Sequence, residues 1–183
     1  MPSKIKVEIR AQIHKDGKII KTLPWKRANS LLKQFIQILA IQMATANQTL
    51  KAIDNTDNST PTGAFAFGAN AAVAATTLGI LIGTGTTPVT MTDYKLETQV
   101  TTNISHGIVT FAVENPDSST WRVAISRVLT NNTGASLGIR EVALYVTAGI
   151  GSALKFCADH TLYSVDVPNG VGVTLTYRIT VSL

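Results

Sequence analysis

Residues 4–14 alternate strictly between apolar and polar. Ile5, Val7, Ile9, Ala11 and Ile13 fall on one side, and Lys4, Lys6, Glu8, Arg10, Gln12 and His14 on the other. A period of two with β-branched residues predicts a strand with one buried face. Asp16-Gly17 supplies the positive-φ positions of a tight hairpin turn. Lys18 to Leu23 returns as a second strand, which Pro24 stops or marks as an edge. The period then changes: Leu31, Leu32, Phe35, Ile36, Leu39 and Met43 recur at three- and four-residue spacing, with Lys33, Gln34, Gln37 and Gln42 opposite. This predicts one amphipathic helix within 29–46, capped by Asn29 or Ser30. Ile38 and Ile41 widen its apolar stripe, so it is expected to be covered on more than one side.

Periodicity is lost over 47–77, where Asp54-Asn55-Thr56-Asp57-Asn58-Ser59-Thr60-Pro61-Thr62-Gly63 has a turn-and-loop composition. The expectation there is a long loop or contact arm. From residue 78 onward short strand-like runs return: 78–82, 97–104, 107–114, 120–130, 138–147, 153–158 and 160–167, with a short helical turn near 91–97. His106-Gly107, Asn115-Pro116-Asp117, Asn131-Asn132-Thr133-Gly134 and Pro168-Asn169-Gly170 punctuate them. The last run is the most regular. Val171, Val173, Leu175, Tyr177, Ile179, Val181 and Leu183 share one face, and Gly172, Thr174, Thr176, Arg178, Thr180 and Ser182 the other. Thirteen residues extend about 43 Å, long enough for a central strand. Many short strands without strand–helix–strand alternation predict a mainly β fold. The expected form is an antiparallel β-sandwich, jelly-roll-like, with one amphipathic helix near the N-terminus. Its organisation is a basic N-terminal hairpin (1–28), the helix (29–46), the arm (47–77) and the sandwich body (78–183), in one structural domain.

Composition narrows this further. Of 183 residues, 45% are apolar and only 15% charged, which excludes disorder for most of the chain. The single cysteine, Cys157, excludes a disulfide scaffold. The net charge of +5 is unevenly spread. Residues 1–33 hold nine basic and two acidic groups (+7), and the remainder seven basic and nine acidic groups (−2). Lys4, Lys6, Arg10, Lys18, Lys21, Lys26 and Arg27 are therefore the candidate partner interface. An acidic protein surface and nucleic acid are the two anionic partners considered, nucleic acid the less expected. A solvated strand face that protects an edge is the third reading. The start lacks the apolar core of a signal peptide, and Ala64–Gly83 lacks the bulky apolar run of a membrane span. With one cysteine, this fits synthesis in a reducing cytoplasm and no membrane partner.

Candidate chemistry is thin. Gly83-Thr84-Gly85-Thr86-Thr87-Pro88 follows a strand, as a phosphate loop would, but lacks Gly-Lys-Ser/Thr, and Pro88 stands where a helix should begin. His14, His106 and His160 fit no metal spacing. Cys157 lies three residues before His160, with Asp159 between, so a thiolate and a base are conceivable there; a turn with a buried, inert thiol is the preferred reading. The eleven carboxylates form no evident catalytic pair, and the aromatics are dispersed. No catalytic residue, cofactor or metal is expected.

A wider resemblance is carried by several segments together. They are the Lys-Asp-Gly-Lys hairpin at 15–18, a helix opening Asn29-Ser30-Leu31-Leu32-Lys33-Gln34-Phe35, and Gly79-Ile80-Leu81-Ile82-Gly83-Thr84-Gly85-Thr86-Thr87-Pro88 leading to Asp93-Tyr94-Lys95-Leu96-Glu97-Thr98-Gln99. Asn131-Asn132-Thr133-Gly134 before Ile139-Arg140-Glu141-Val142-Ala143-Leu144-Tyr145, and the closing Thr-rich strand, complete the set. The chain resembles small β-sandwich structural proteins of tailed viruses of bacteria and archaea. That resemblance implies a non-enzymatic virion component, head-associated as a capsid decoration or auxiliary protein. Its expected partners are copies of itself and a major capsid or other virion protein. The alternative it implies is a tail or fibre component acting as a glycan- or receptor-binding or adaptor module.

Overall fold

The computed structural model describes residues 4–28, 32–42, 48–60, 68–147 and 154–182. The elements follow in the order β1 (Lys4–Lys15), β2 (Lys18–Thr22), β3 (Lys26–Arg27), α1 (Lys33–Gln42), β4 (Gln48–Lys51) and β5 (Asp57–Thr60). Next come β6 (Gly79–Gly83), β7 (Ile104–Asp117), β8 (Thr120–Asn131), β9 (Leu137–Thr147), β10 (Lys155–Val167) and β11 (Gly172–Ser182). Six strands form one sheet, in the order β2-β1-β11-β8-β7 with β3 added alongside β1. Three form a second sheet, β10-β9-β6, and all pairings are antiparallel.

The alternation read from β1 and β11 decides which side packs. Ile9, Ala11 and Ile13 of β1 stand opposite Tyr177, Leu175 and Val173 of β11, and all six are buried. They meet Ile80, Ile82, Val142, Leu144, Val146, Phe156 and Val165 of the smaller sheet in one core. The mainly β sandwich is thus observed, with β11 central in its sheet. Six strands face three, which does not establish the two Greek keys of a jelly roll. The smaller sheet is covered on its other side too. Leu81, Ala143, Tyr145 and Cys157 pack there with Leu32 and Leu96 in a second cluster. This explains why β9 is buried at every position from Glu141 to Thr147.

Several local expectations change. Asp16 and Gly17 both have positive φ (50° and 74°), as the tight hairpin requires. The helix is described from Lys33 to Gln42 and packs on β10 and β4. Its expected cap at Asn29 or Ser30, with Leu31 and Met43, lies outside the described residues. Within the expected 47–77 loop the chain instead builds a two-stranded hairpin, β4–β5, turning at Asn55 in the left-handed region (φ 72°). Its strands are four residues each, too short for an alternation to emerge. The expected strand 97–104 is largely irregular, reduced to one bridge between Gln99 and Gly83. The helical turn expected near 91–97 is non-helical. Asn115-Pro116-Asp117, expected as a turn, lies within β7 beside a register shift. The runs 153–158 and 160–167 are one strand, β10, carrying a bulge between Cys157 and Asp159. That bulge explains the interrupted alternation.

The irregular chain from Gly68 to Leu78 is fastened by Arg127. This side chain projects inward from β8, opposite Leu175, and is 1% exposed. Its Nε donates to the carbonyl of Gly107 (2.9 Å), Nη1 to those of Leu78 (3.0 Å) and Ile80 (3.1 Å), and Nη2 to Ala75 (2.6 Å) and Ala72 (3.4 Å). A guanidinium has five N–H groups, and here five main-chain carbonyls accept them. Burial lowers its pKa to about 10, so it remains charged at neutral pH. Lysine cannot span these acceptors, and buried carbonyls left alone are costly. Arg127→Lys is expected to lower stability by roughly 3 kcal/mol, read as a lower urea midpoint. An unchanged midpoint would show that the 68–80 carbonyls do not need the fork.

Candidate interaction surfaces

The structure separates the seven predicted interface residues. Lys6 Nζ is 2.7 Å from Glu8 Oε1 on its own strand. Lys26 Nζ donates to the carbonyl of Leu162 (2.9 Å), tying the edge of the large sheet to β10. Lys18 and Lys21 are exposed on β2. Arg27 is exposed opposite Glu8. Lys4 is described by its backbone, opposite Ser182. Arg10 enters a cluster that charge counting along the chain does not reveal. Its guanidinium carbon lies 4.5 Å from the centre of the Trp25 ring, and that of Arg178 lies 3.7 Å from the same ring. Cation–π contacts of this kind hold planar cations in place.

Register explains the gathering. Cross-strand partners share a face. Glu8 stands opposite Arg178, Arg10 opposite Thr176, and Arg122 opposite Thr180, so all point away from the core. Glu114, opposite Arg122, joins them. Among the described side chains, the outer face of the large sheet therefore carries Lys6, Arg10, Arg27, Arg122 and Arg178 against Glu8 and Glu114, five cations minus two anions, or +3. Arg122 and Arg178 belong to the part of the sequence that is net acidic. Their outward parity was readable; their arrival beside Arg10 required the pairing of β1 with β11.

The core-facing side offers a second surface. At the end of the large sheet, Ile5, Val181 and Trp121 form one cross-strand row, and Val7, Ile179, Val123 and Val113 the next. By parity these rows continue the core, yet the small sheet leaves that end uncovered. Val113 is 71% exposed, Ile5 68% and Trp121 58%, with Val123 and Val181 also exposed. Together with Phe111 in the following row they present apolar area on the order of 600 Å², the upper end for a soluble monomer. Among the described residues, no helix is long and apolar enough to cross a membrane.

His160, Asp93 and Glu141 converge inside the protein instead, while His14 bonds Thr174 and His106 is buried elsewhere. Glu141 is fully buried. Its Oε1 accepts from the amides of Gly85 (3.0 Å) and Thr98 (2.8 Å), and its Oε2 from the amide of Glu97 (2.9 Å) and from His160 Nε2 (2.8 Å). His160 Nδ1 meets Asp93 Oδ2 at 2.9 Å. Glu97 in turn accepts from the amide (3.0 Å) and hydroxyl (2.7 Å) of Thr87, and Tyr145 Oη accepts from the amide of Leu96 (2.7 Å). The Gly-Thr-Gly-Thr-Thr-Pro run, the Leu96-Glu97 segment and the Glu141–Tyr145 strand are therefore one hydrogen-bonded unit. A Cβ on Gly85 would lie 2.7 Å from Glu141 Oε1, which is why glycine stands there.

This unit is unlike a phosphate loop, because its amides are already taken by a carboxylate. Nor does it pair Cys157 with His160: both ring nitrogens face carboxylates, and the thiol contacts the Asp159 carbonyl at 3.3 Å. Burial, then the nearby acids, pushes the Cys157 thiol well above its ordinary value. Asp93 and Glu141 lie on opposite sides of the imidazole and do not converge on a point. Among the described residues no group of three or more His, Cys, Asp or Glu side chains is placed to hold a metal ion. Asp159, bonded by Tyr177 Oη and Thr161 Oγ1 (both 2.9 Å), is raised to about 6, chiefly by burial.

No protein-family model, curated protein or solved structure matches this chain. Its chemistry is therefore read from its own geometry.

Burial acts to lower the pKa of His160, but its bonds to Glu141 and Asp93 outweigh that and raise it. Burial likewise works against the charged forms of Asp93 and Glu141, yet hydrogen bonds, including those to His160, hold both below their ordinary values. Above about pH 6.5 the unfolded histidine loses its proton while the folded one keeps it, so the folded state binds more protons and stability falls as pH rises. The contribution is complete below that pH and is lost through the raised folded value. Just above pH 6.5 a slope of up to about 1.4 kcal/mol per unit is expected in chemical denaturation, and His160→Gln should remove it. An equal slope in both proteins would place the titration elsewhere.

Proposed function

We propose that this chain is a non-enzymatic structural subunit of a virus particle, assembling with symmetric copies of itself as a head-associated decoration or auxiliary capsid protein. The observation that carries the reading is the pair of exposed apolar rows around Val113, Trp121 and Val181. Their chemistry is that of a core without its covering layer. Two such surfaces face to face remove about 1,200 Å², the lower bound of a specific interface. A face that pairs with itself suits the two-fold contacts common in symmetric assemblies. The His160, Glu141 and Cys157 side chains support the non-enzymatic part, since they are buried and engaged within the fold. Synthesis in the host cytoplasm and a place in the virion belong to the same reading.

A tail or fibre position, with the subunit acting as a glycan- or receptor-binding or adaptor module, is supported by a different observation: the arginine-lined outer face, which lies away from the apolar rows.

Two measurements test the assembly reading. Purified particles from the source should contain the protein at a fixed copy number by quantitative mass spectrometry, and its absence from them would overturn the reading. In solution, light scattering should show concentration-dependent self-association that Val113→Asp with Val181→Asp abolishes while the circular dichroism spectrum stays unchanged. Exposed sites tolerate such changes with little loss of stability. A monomer at all concentrations before mutation would remove the apolar rows as the contact.

A further inference from the structure

The outer face of the large sheet is not uniformly flat. Between β1, β11, β8 and β7 it forms a cleft of about 280 Å³ whose charged lining residues are Arg10, Arg178 and Glu114. Both arginines are held against Trp25, with Arg122 flanking Arg178 along the sheet. No carboxylate lies within ion-pairing distance of Arg10, Arg122 or Arg178 among the described residues; Glu8, the nearest cross-strand acid to Arg178, is paired with Lys6. The Nε atoms of all three guanidiniums are shut away from solvent without an acceptor. Like charges gathered in this way, with part of their hydration removed and Glu8 and Glu114 only as more distant counter-charges, favour an oxyanion.

The rest of the lining says what carries that oxyanion. Beside Trp25, Phe111, Ala112 and Ala124, the uncharged lining is made of hydroxyl and amide side chains: Gln12, Thr110, Ser126, Thr174 and Thr176. Ser126 Oγ and Thr176 Oγ1 are 2.9 Å apart, and His14 Nε2 lies 2.8 Å from Thr174 Oγ1, so these groups are fixed in orientation. The charge of the lining is two arginines minus one glutamate, or +1. That suits a single carboxylate and disfavours a run of phosphates or of acidic side chains, which Glu114 would repel. Glu114 does suit the hydroxyls of a sugar, which donate to carboxylates. The Trp25 ring, against which both guanidiniums lie, is not a free platform for a nucleobase.

We propose that this cleft binds a carboxylated sugar of an acidic polysaccharide, with Arg10 and Arg178 taking the carboxylate and the Thr/Ser/Gln lining with Glu114 taking the ring hydroxyls. The site is independent of the assembly contact: it is on the opposite side of the same sheet, and the subunit presents it outward whether the apolar rows pair or not. Polyanions held only by bulk charge would instead follow the basic residues wherever they lie.

Binding of polygalacturonate, polysialic acid, neutral dextran, poly-glutamate and a single-stranded oligodeoxynucleotide to the full chain, measured by biolayer interferometry at physiological salt, tests this. At least one of the two carboxylated polysaccharides is expected to bind more tightly than poly-glutamate and the oligonucleotide, with dextran silent. Arg10→Gln with Arg178→Gln should weaken that binding at least tenfold. Lys15→Gln with Lys95→Gln, which removes the same charge at exposed lysines outside the cleft, should leave it within twofold. Thr110→Glu, at an exposed position, should weaken it comparably by placing a carboxylate in the cleft, and decides the matter if the double arginine variant does not fold. Equal losses in the arginine and lysine variants, tighter binding of poly-glutamate or of the oligonucleotide, or no binding of either polysaccharide each overturns the proposal. Self-association measured on the same samples reports separately on the assembly reading.

Discussion

Main-chain groups taken out of water must find partners, and in this protein the segment from Gly68 to Val100 makes that constraint acute. It is mostly irregular, yet it lies against a sandwich whose strands β6 and β9 are almost wholly buried. Outside β6 and two isolated bridges, no ladder is available to satisfy it. Two buried charges take that role from opposite sides of the polarity. Arg127 collects five carbonyls from residues 72–80 and 107, and Glu141 collects the amides of Gly85, Glu97 and Thr98. A charged group bonded to several main-chain dipoles is stabilised without a conventional ion pair. The second cluster of apolar side chains, around Leu81, Leu96 and Tyr145, can close over the small sheet because these loops are held there.

The same arrangement accounts for the absence of an evident reactive centre among the described residues. His160 is flanked by Asp93 and Glu141 in a geometry that elsewhere would suggest proton transfer, but it is 3% exposed and both carboxylates have further work as acceptors for main-chain or hydroxyl groups. The polar interior is a fastening. The large sheet extends past its smaller partner and presents two contrasting faces. One side offers uncovered rows of valine, isoleucine and tryptophan, and the other a basic cleft. Under the proposals above, the two faces of this single long sheet serve two independent contacts, one with a second copy and one with an anionic ligand.

Much of the scaffold was legible in order. The strict alternation of β1 and β11 separated the core-facing side from the outward one, although Ile5 and Val181 on the core-facing side are exposed, and Asp16-Gly17 placed the hairpin. Short or bulged elements escaped: β4 and β5 are four residues each, and the bulge at Cys157–Asp159 breaks the period that would have joined the two halves of β10. Arg127 was detectable in principle, as a charge at the inward parity of Trp121, Val123, Ile125 and Leu129, although the parity says nothing of what it holds. The basic outer face of the large sheet was legible only in part. Arg10 lies in it, Lys26 is used to join the two sheets, and Arg122 and Arg178 were hidden in a region that charge counting marked as acidic.

By itself, then, the sequence determined what depends on local pattern: strand periodicity, the tight turn, the helix, the mainly β class and the low charge. These are set by neighbours one to four residues apart, whose side-chain directions follow from backbone geometry. The tertiary structure decided what depends on register and on relative sheet size. Which guanidiniums share Trp25, which carboxylate meets which amides, and how far the apolar rows outrun the second sheet are outcomes of contacts between residues far apart in the chain, as Gly85 and Glu141, and Arg10 and Thr176, are. A one-residue slip in that pairing would leave every local pattern intact and dissolve both surfaces.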